Sequence, residues 1–154
     1  MKTICLYFEL HQIVHLKRYR FFDIGTDHYY SDDYANEASI SHIAENSYIP
    51  ALNAMIDMAK QSNGYFKVAL SMSGVALELL ERYAPAVIEL LQELSATGCC
   101  EFLAEPYSHG LASLAPNGEE GFREETFRLV EKINQLFGQK PTVFRNSNLI
   151  YNDD

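Results

Sequence analysis

Apolar positions along the chain fall into two alternating patterns. Residues 3–10 form a continuous run of β-formers, the pattern of a strand covered on both faces. Residues 37–62 carry helical spacing, with Ile40, Ile43 and Ala44 on one face and Leu52, Met55, Ile56 and Ala59 on another. Asn36 is a fair N-cap for this segment, Pro50 divides it and Asn63-Gly64 ends it. Residues 66–72 read as a second strand. Ser73 caps a short helix to Tyr83, and Pro85 opens the next, which runs to Ala96 and closes at Gly98. Residues 99–104 read as a third strand, residues 119–137 as an amphipathic helix stopped by Gly138, and residues 142–145 as a fourth strand.

Strands alternating with helices imply an α/β fold. The expected sheet is parallel, of about four strands, with right-handed crossovers. Four such strands make an open sheet or half of a closed barrel. The length fits a single domain, 1–154, and there is no internal repeat. Two stretches interrupt the alternation. Residues 11–36 are long for a connection and rich in Tyr, Phe, Asp, His and Arg, which marks a functional loop rather than a disordered one. Residues 105–118 form a second loop, with two Pro and two Gly.

The carboxyl ends of parallel strands are where α/β proteins place their chemistry. Three of the four ends are polar here: Glu9, His11 and Gln12 after the first strand; Glu101 and Glu105, then Tyr107 and His109, at the third; Arg145, Asn146, Ser147 and Asn148 at the fourth. The second ends in the bland Ser71-Met72-Ser73-Gly74. Polar groups at one end of one sheet become neighbours, so together they are a stronger signal than any one of them.

Charge narrows the partners. Twelve basic against 21 acidic side chains give −9, which disfavours nucleic acid and anionic membrane surfaces but not a neutral sugar. No apolar run approaches the ~20 residues that span a bilayer. The opening apolar run breaks at Glu9, too short for a signal peptide, so the cytoplasm is the expected compartment. Three cysteines, an odd number, do not make a disulfide framework, and Cys99 and Cys100 read as buried thiols.

Some residues allow two interpretations. Glu101 either supports the strand-end site or is a buried carboxylate paired with Arg145. Tyr19, Phe21, Phe22, Tyr29 and Tyr30 either stack sugar rings or pack the long loop onto its own domain. His11 and His15 have ligand-like spacing, with Asp23, Asp27, His28, Asp32 and Asp33 near in sequence, but no helical face enforces that spacing. Asp32-Asp33 suits a turn and helix cap. No catalytic metal and no cofactor is expected.

Several segments resemble glycoside hydrolase family 57, the α-amylase and 4-α-glucanotransferase-like enzymes. His11-Gln12 after an apolar strand is similar to the family's opening His-Gln-Pro motif, with Ile13 in place of Pro. Leu16-Lys17-Arg18-Tyr19-Arg20-Phe21-Phe22-Asp23-Ile24-Gly25 resembles the segment that follows in one bacterial α-amylase-like subgroup. Gly98-Cys99-Cys100-Glu101 resembles the second motif, Gly-Gln-x-Glu, and Phe102-Leu103-Ala104-Glu105-Pro106-Tyr107-Ser108-His109 resembles the subgroup's continuation. Residues 144–151 resemble the third motif, Phe-Arg-Asn-Thr-Glu-Leu-Ile-Tyr.

The resemblance implies the N-terminal half of an incomplete (β/α)7 barrel acting on an α-glucan or oligosaccharide by a retaining mechanism. It implies sugar contact by His11, with Gln12, Glu101, Glu105, His109 and Arg145 around the substrate. It places the nucleophile at Asn148, where the family has Glu. A retaining glycosidase needs a carboxylate there and a second carboxyl to protonate the leaving oxygen. The family's acid lies on a later strand with no counterpart in these residues. The expectation is an inactive chain; the alternatives are a non-catalytic carbohydrate-binding or assembly fragment and a protein like the metal-dependent polysaccharide deacetylases, whose barrels are related. A half-barrel with bare edges is also expected to self-associate, or to be one part of a longer protein.

Overall fold

The computed structural model describes residues 4–111 and 118–147 of the chain. Three parallel strands form one sheet in the order β1-β2-β3: β1 Leu6–Leu10, β2 Val68–Met72 and β3 Cys100–Leu103. Leu6 pairs with Val68 and Leu10 with Met72, while Val68 pairs with Cys100. The expected fourth strand is reduced to one parallel bridge, Ala104 to Phe144. It is held by Ala104 N–H to Val143 C=O at 2.9 Å and Arg145 N–H to Ala104 C=O at 2.8 Å. Nor is β1 covered on both faces: it is an edge strand, and Tyr7, Phe8 and Glu9 are open to solvent.

Helices cover one face of the sheet. They are α1 Asp33–Ile43, α2 Ile49–Gln61, α3 Gly74–Tyr83, α4 Pro85–Ala96 and α5 Gly118–Phe137. Pro50 lacks an N–H, so it fits the first turn of α2, where no intrahelical acceptor is needed. The preceding residues, Ala44–Tyr48, widen into a π-helical turn that joins α1 to α2. Pro85 opens α4 in the same way. The helix-facing side chains of the sheet, among them Leu70, Met72 and Phe102, meet Leu77, Leu80, Leu91, Leu94, Leu129 and Ile133 in one core. Each fully buried large aliphatic contributes about 1.5–3 kcal/mol. Phe102 also stacks on Phe137, with ring centres 4.5 Å apart. No helix among the described residues is long and apolar enough to cross a membrane.

The first helix starts earlier than its spacing predicts. Asp32, not Asn36, is its N-cap, accepting from Ala35 N–H at 3.0 Å. Asn36 is fully buried inside α1 and closes the base of the long loop. Its Oδ1 accepts from His15 N–H at 2.7 Å, and its Nδ2 donates to His15 C=O at 3.2 Å and to Ser31 Oγ at 3.0 Å. Beside it, Leu16 and Ser31 form an antiparallel bridge. Residues 16–31 thus leave and return at one point, as in a compact surface loop.

Candidate functional site

Alternation along the strands sends Tyr7 and Glu9 to the face that the helices leave open. Register sets Ala69 and Glu101 level with Tyr7, and Ser71 and Leu103 level with Glu9. Just past the strand ends, His11, Ser73 and Glu105 continue these rows. The result is a polar cluster at the carboxyl end of the sheet.

Glu105 is fully buried, which a carboxylate tolerates only when paired and hydrogen-bonded. Ser71 Oγ donates to its Oε2, and His109 Nδ1 lies 3.2 Å from its Oε1. The other ring nitrogen of His109, Nε2, lies 3.4 Å from Glu9 Oε1. Each ring nitrogen of His109 therefore faces a carboxylate. Arg145 completes the group: Nη1 donates to Glu9 Oε1 at 2.6 Å and lies 3.6 Å from Glu105 Oε2. Its guanidinium also sits 5.9 Å from the centre of the Tyr7 ring. Two carboxylates thus share one guanidinium and the two ring nitrogens of His109.

His11 stacks on His109, with ring centres 4.1 Å apart and planes 18° apart. Burial, and then the charge of His109, hold the His11 imidazole below the ordinary histidine range, against the opposing pull of Glu105 and Glu9. A neutral His11 avoids repulsion with its stacked neighbour. Its Nδ1 is 2.8 Å from Ser73 Oγ, which also caps α3 by accepting from Ala76 N–H at 3.1 Å. With the serine hydrogen directed at Nδ1, the imidazole N–H would stand on Nε2 as a donor for a ligand oxygen.

Of the residues expected at the site, His11, Glu105, His109 and Arg145 come together here. Gln12 instead donates to Tyr48 Oη at 2.9 Å, in the π-helical turn. Glu101 shares the open face but lies one row below Leu103, exposed, beside a hollow at the amino ends of the strands lined by Cys5, Lys67 and Gly98. The pairing of Glu101 with Arg145 does not occur; Arg145 takes Glu9 and Glu105. Asn148, at the expected nucleophile position, lies outside the described residues, as do residues 149–151 of the third motif. Spacing arguments passed over Ser71 and Ser73, and gave Glu9 no partner. Period-two alternation through Tyr7, Glu9 and His11 was the signal for Glu9.

Among the described residues, Glu9, Glu105 and His109 are the group whose ligand atoms converge as a metal site would require, all within 4.8 Å of one another. The Arg145 guanidinium already occupies their shared charge. His11 and His15 form no such group, and the peptide of His15 is engaged by Asn36. The aromatic loop presents its rings outward, with Phe21 and Phe22 more than four-fifths exposed, while Tyr29 is tied to Asp33.

Comparison with known proteins fits this geometry. The chain is 33% identical over 124 residues to a Methanocaldococcus jannaschii protein named "Putative alpha-amylase", a match covering 80% of this chain and 26% of that protein. It superposes on the crystal structure of 4-alpha-glucanotransferase from Thermococcus litoralis with a TM-score of 0.67 and 18% identity, covering 77% of this chain and 18% of that one. The second likeness establishes a shared fold. The chain thus spans about a quarter or less of the length of the relatives it matches. The profile of Glycosyl hydrolase family 57 matches residues 5–154, nearly the whole chain, and the chain belongs to that family.

Proposed function

We propose that these residues are the N-terminal part of an α-glucan-acting, retaining glycoside hydrolase domain, and that alone they hold an oligosaccharide without hydrolysing it. The observation that carries this is the convergence of His11, His109, Glu9, Glu105 and Arg145 on the open face at the strand ends. Fixed donors and acceptors in such a place suit sugar hydroxyls, and the −9 charge favours a neutral ligand over a phosphorylated one. The compartment that fits this role is the cytoplasm.

Inactivity follows from the lack of both a nucleophile and an acid carboxyl among these residues. Asn148 stands where the resembling motif carries Glu. An amide does not form a glycosyl-enzyme bond under these conditions and has no charge to stabilise an oxocarbenium ion. Glu105 is not placed to act as the acid, because it is fully buried and its oxygens are engaged by Ser71, His109 and Arg145. Calorimetry with maltooligosaccharides should show weak binding that is reduced in His11→Ala, and reducing-end assays should show no turnover. Asn148→Glu alone should also be inactive. Turnover by the unaltered chain, abolished by His11→Ala, would overturn the inactivity; absence of binding would overturn the sugar-holding role.

A metal-dependent deacetylase is the second reading. The convergence of Glu9, Glu105 and His109 favours it, and the guanidinium of Arg145 among them opposes it.

A further inference from the structure

The two stacked histidines arrive by separate routes. His11 follows β1 and His109 lies in the loop after β3, and neither strand fixes their rings relative to each other. Tyr107 touches both routes. Its ring lies so close to the backbone of Gly74 that a Cβ there would overlap it. Gly74 begins α3 and follows Ser73, the residue bonded to His11. The Tyr107 carbonyl accepts from Val75 N–H at 3.3 Å, so ring and backbone together brace the first turn of α3 and with it Ser73.

The same residue shapes the turn that carries His109. His109 N–H donates to Pro106 C=O at 3.0 Å, closing the chain around Tyr107. That closure puts His109 in the left-handed region, at φ 56, a conformation costly for most side chains and held here by its surroundings. Tyr107 is itself fastened from outside. Its hydroxyl donates to Glu78, and Arg128 of α5 donates to Glu78 at 3.2 Å and lies 3.8 Å from the Tyr107 ring centre. Burial and the Glu78 bond push the Tyr107 hydroxyl up to about 12, so it remains a donor at ordinary pH.

We propose that Tyr107 is the positioning residue of the strand-end site, setting the His11–His109 stack from both sides and thereby the direction of the His11 N–H that meets a ligand. The assignment of that N–H to a sugar rests on the function proposed above; the control of the stack does not. Ordinary core packing predicts something different: loss of Tyr107 would lower stability but leave the imidazoles as they are.

The test is imidazole NMR on the full chain without ligand, with His15, His28 and His42 as internal standards. In Tyr107→Leu the cross-relaxation between the His11 and His109 rings should fall several-fold and their ring-current shifts collapse together, while His15, His28 and His42 hold. Tyr107→Phe, which keeps the ring, should retain the stack. Arg128→Met guards against a Leu variant that does not fold. It loosens the ring from the surface and should move the His11 and His109 resonances together, by more than those of the other three histidines. A folded Tyr107→Leu with an unchanged stack overturns the proposal, as does a response to Arg128→Met confined to one histidine of the stack or to neither. A stack that depends on Tyr107 in a chain that binds no maltooligosaccharide supports the proposal and sinks the sugar assignment alone.

Discussion

The guanidinium of Arg145 donates to the carboxylate of Glu9 at 2.6 Å, joining residues 136 positions apart across the open face of the sheet. Arg145 is mostly buried and Glu9 half-open, with side-chain exposures of 15% and 28%. Removing the cation leaves Glu9 and the fully buried Glu105 facing each other with only His109 between them. Arg145→Met should therefore destabilise the fold by about 1–3 kcal/mol, less than for a wholly buried pair because water reaches Glu9. The freed carboxylates and His109 should also acquire affinity for a divalent cation. Thermal melts with and without Mn2+ or Zn2+ check both: a metal-dependent rise in midpoint is expected in Arg145→Met and not in the unaltered chain.

The imidazole of His11 gives the site a pH dependence of known sign. Its folded pKa lies below the ordinary value of 6.5, first because of burial and then because of the His109 charge. The unfolded chain therefore binds a proton that the folded chain resists. Stability from this group is fully present above 6.5 and is lost as pH falls through the lower folded value. Denaturant midpoints from pH 7 to pH 5 should decline, and the His11→Gln variant should decline less. An equal decline in both would show that other groups set the acid limb.

The alternating α/β order was legible because strands, caps and prolines are local signals. Ser73, Pro85 and Gly98 stand where the pattern puts them. The short fourth element was not legible as a single bridge, because the extent of a strand depends on a pairing partner and not on its own residues. The unbroken run of residues 3–10 concealed the open face, and only register could put Ser71 beside Glu9, or show that Glu101 sits a row too low to meet Arg145. Asn36 misled for a physical reason. A short amide serves equally as a cap or as a clamp, and its partner His15 is 21 positions away.

That clamp should be measurable. Asn36 satisfies both peptide groups of His15 from a fully buried position, and it also reaches Ser31. Asn36→Ala strands a buried donor and acceptor, so the expected loss is about 2–3 kcal/mol. The loop should open at its base before the core does. Limited proteolysis should then cut within residues 16–31 of the variant under conditions that leave the unaltered chain intact. Asn36→Asp is the sharper comparison: it keeps the acceptor for His15 N–H but loses the donors to His15 C=O and Ser31, so its protection should be intermediate.

Both borders of the sheet offer a surface for association. Among the described residues β1 has an unpaired edge, with Tyr7 and Phe8 about two-fifths exposed, and beyond β3 the bridge residue Phe144 and its neighbour Val143 are exposed to a similar degree. Exposed strand edges with apolar side chains recruit further strands unless charge or cover prevents it. The charge of −9 opposes association at low ionic strength and is screened as salt rises. Sedimentation at several concentrations should therefore show self-association that strengthens with salt. Phe8→Lys places a charge on the β1 edge strand, away from the polar cluster, and should shift the equilibrium toward monomer without disturbing the His11–His109 stack. A monomer at every concentration and salt level, with no binding of an apolar dye, would show that these edges are protected as they stand.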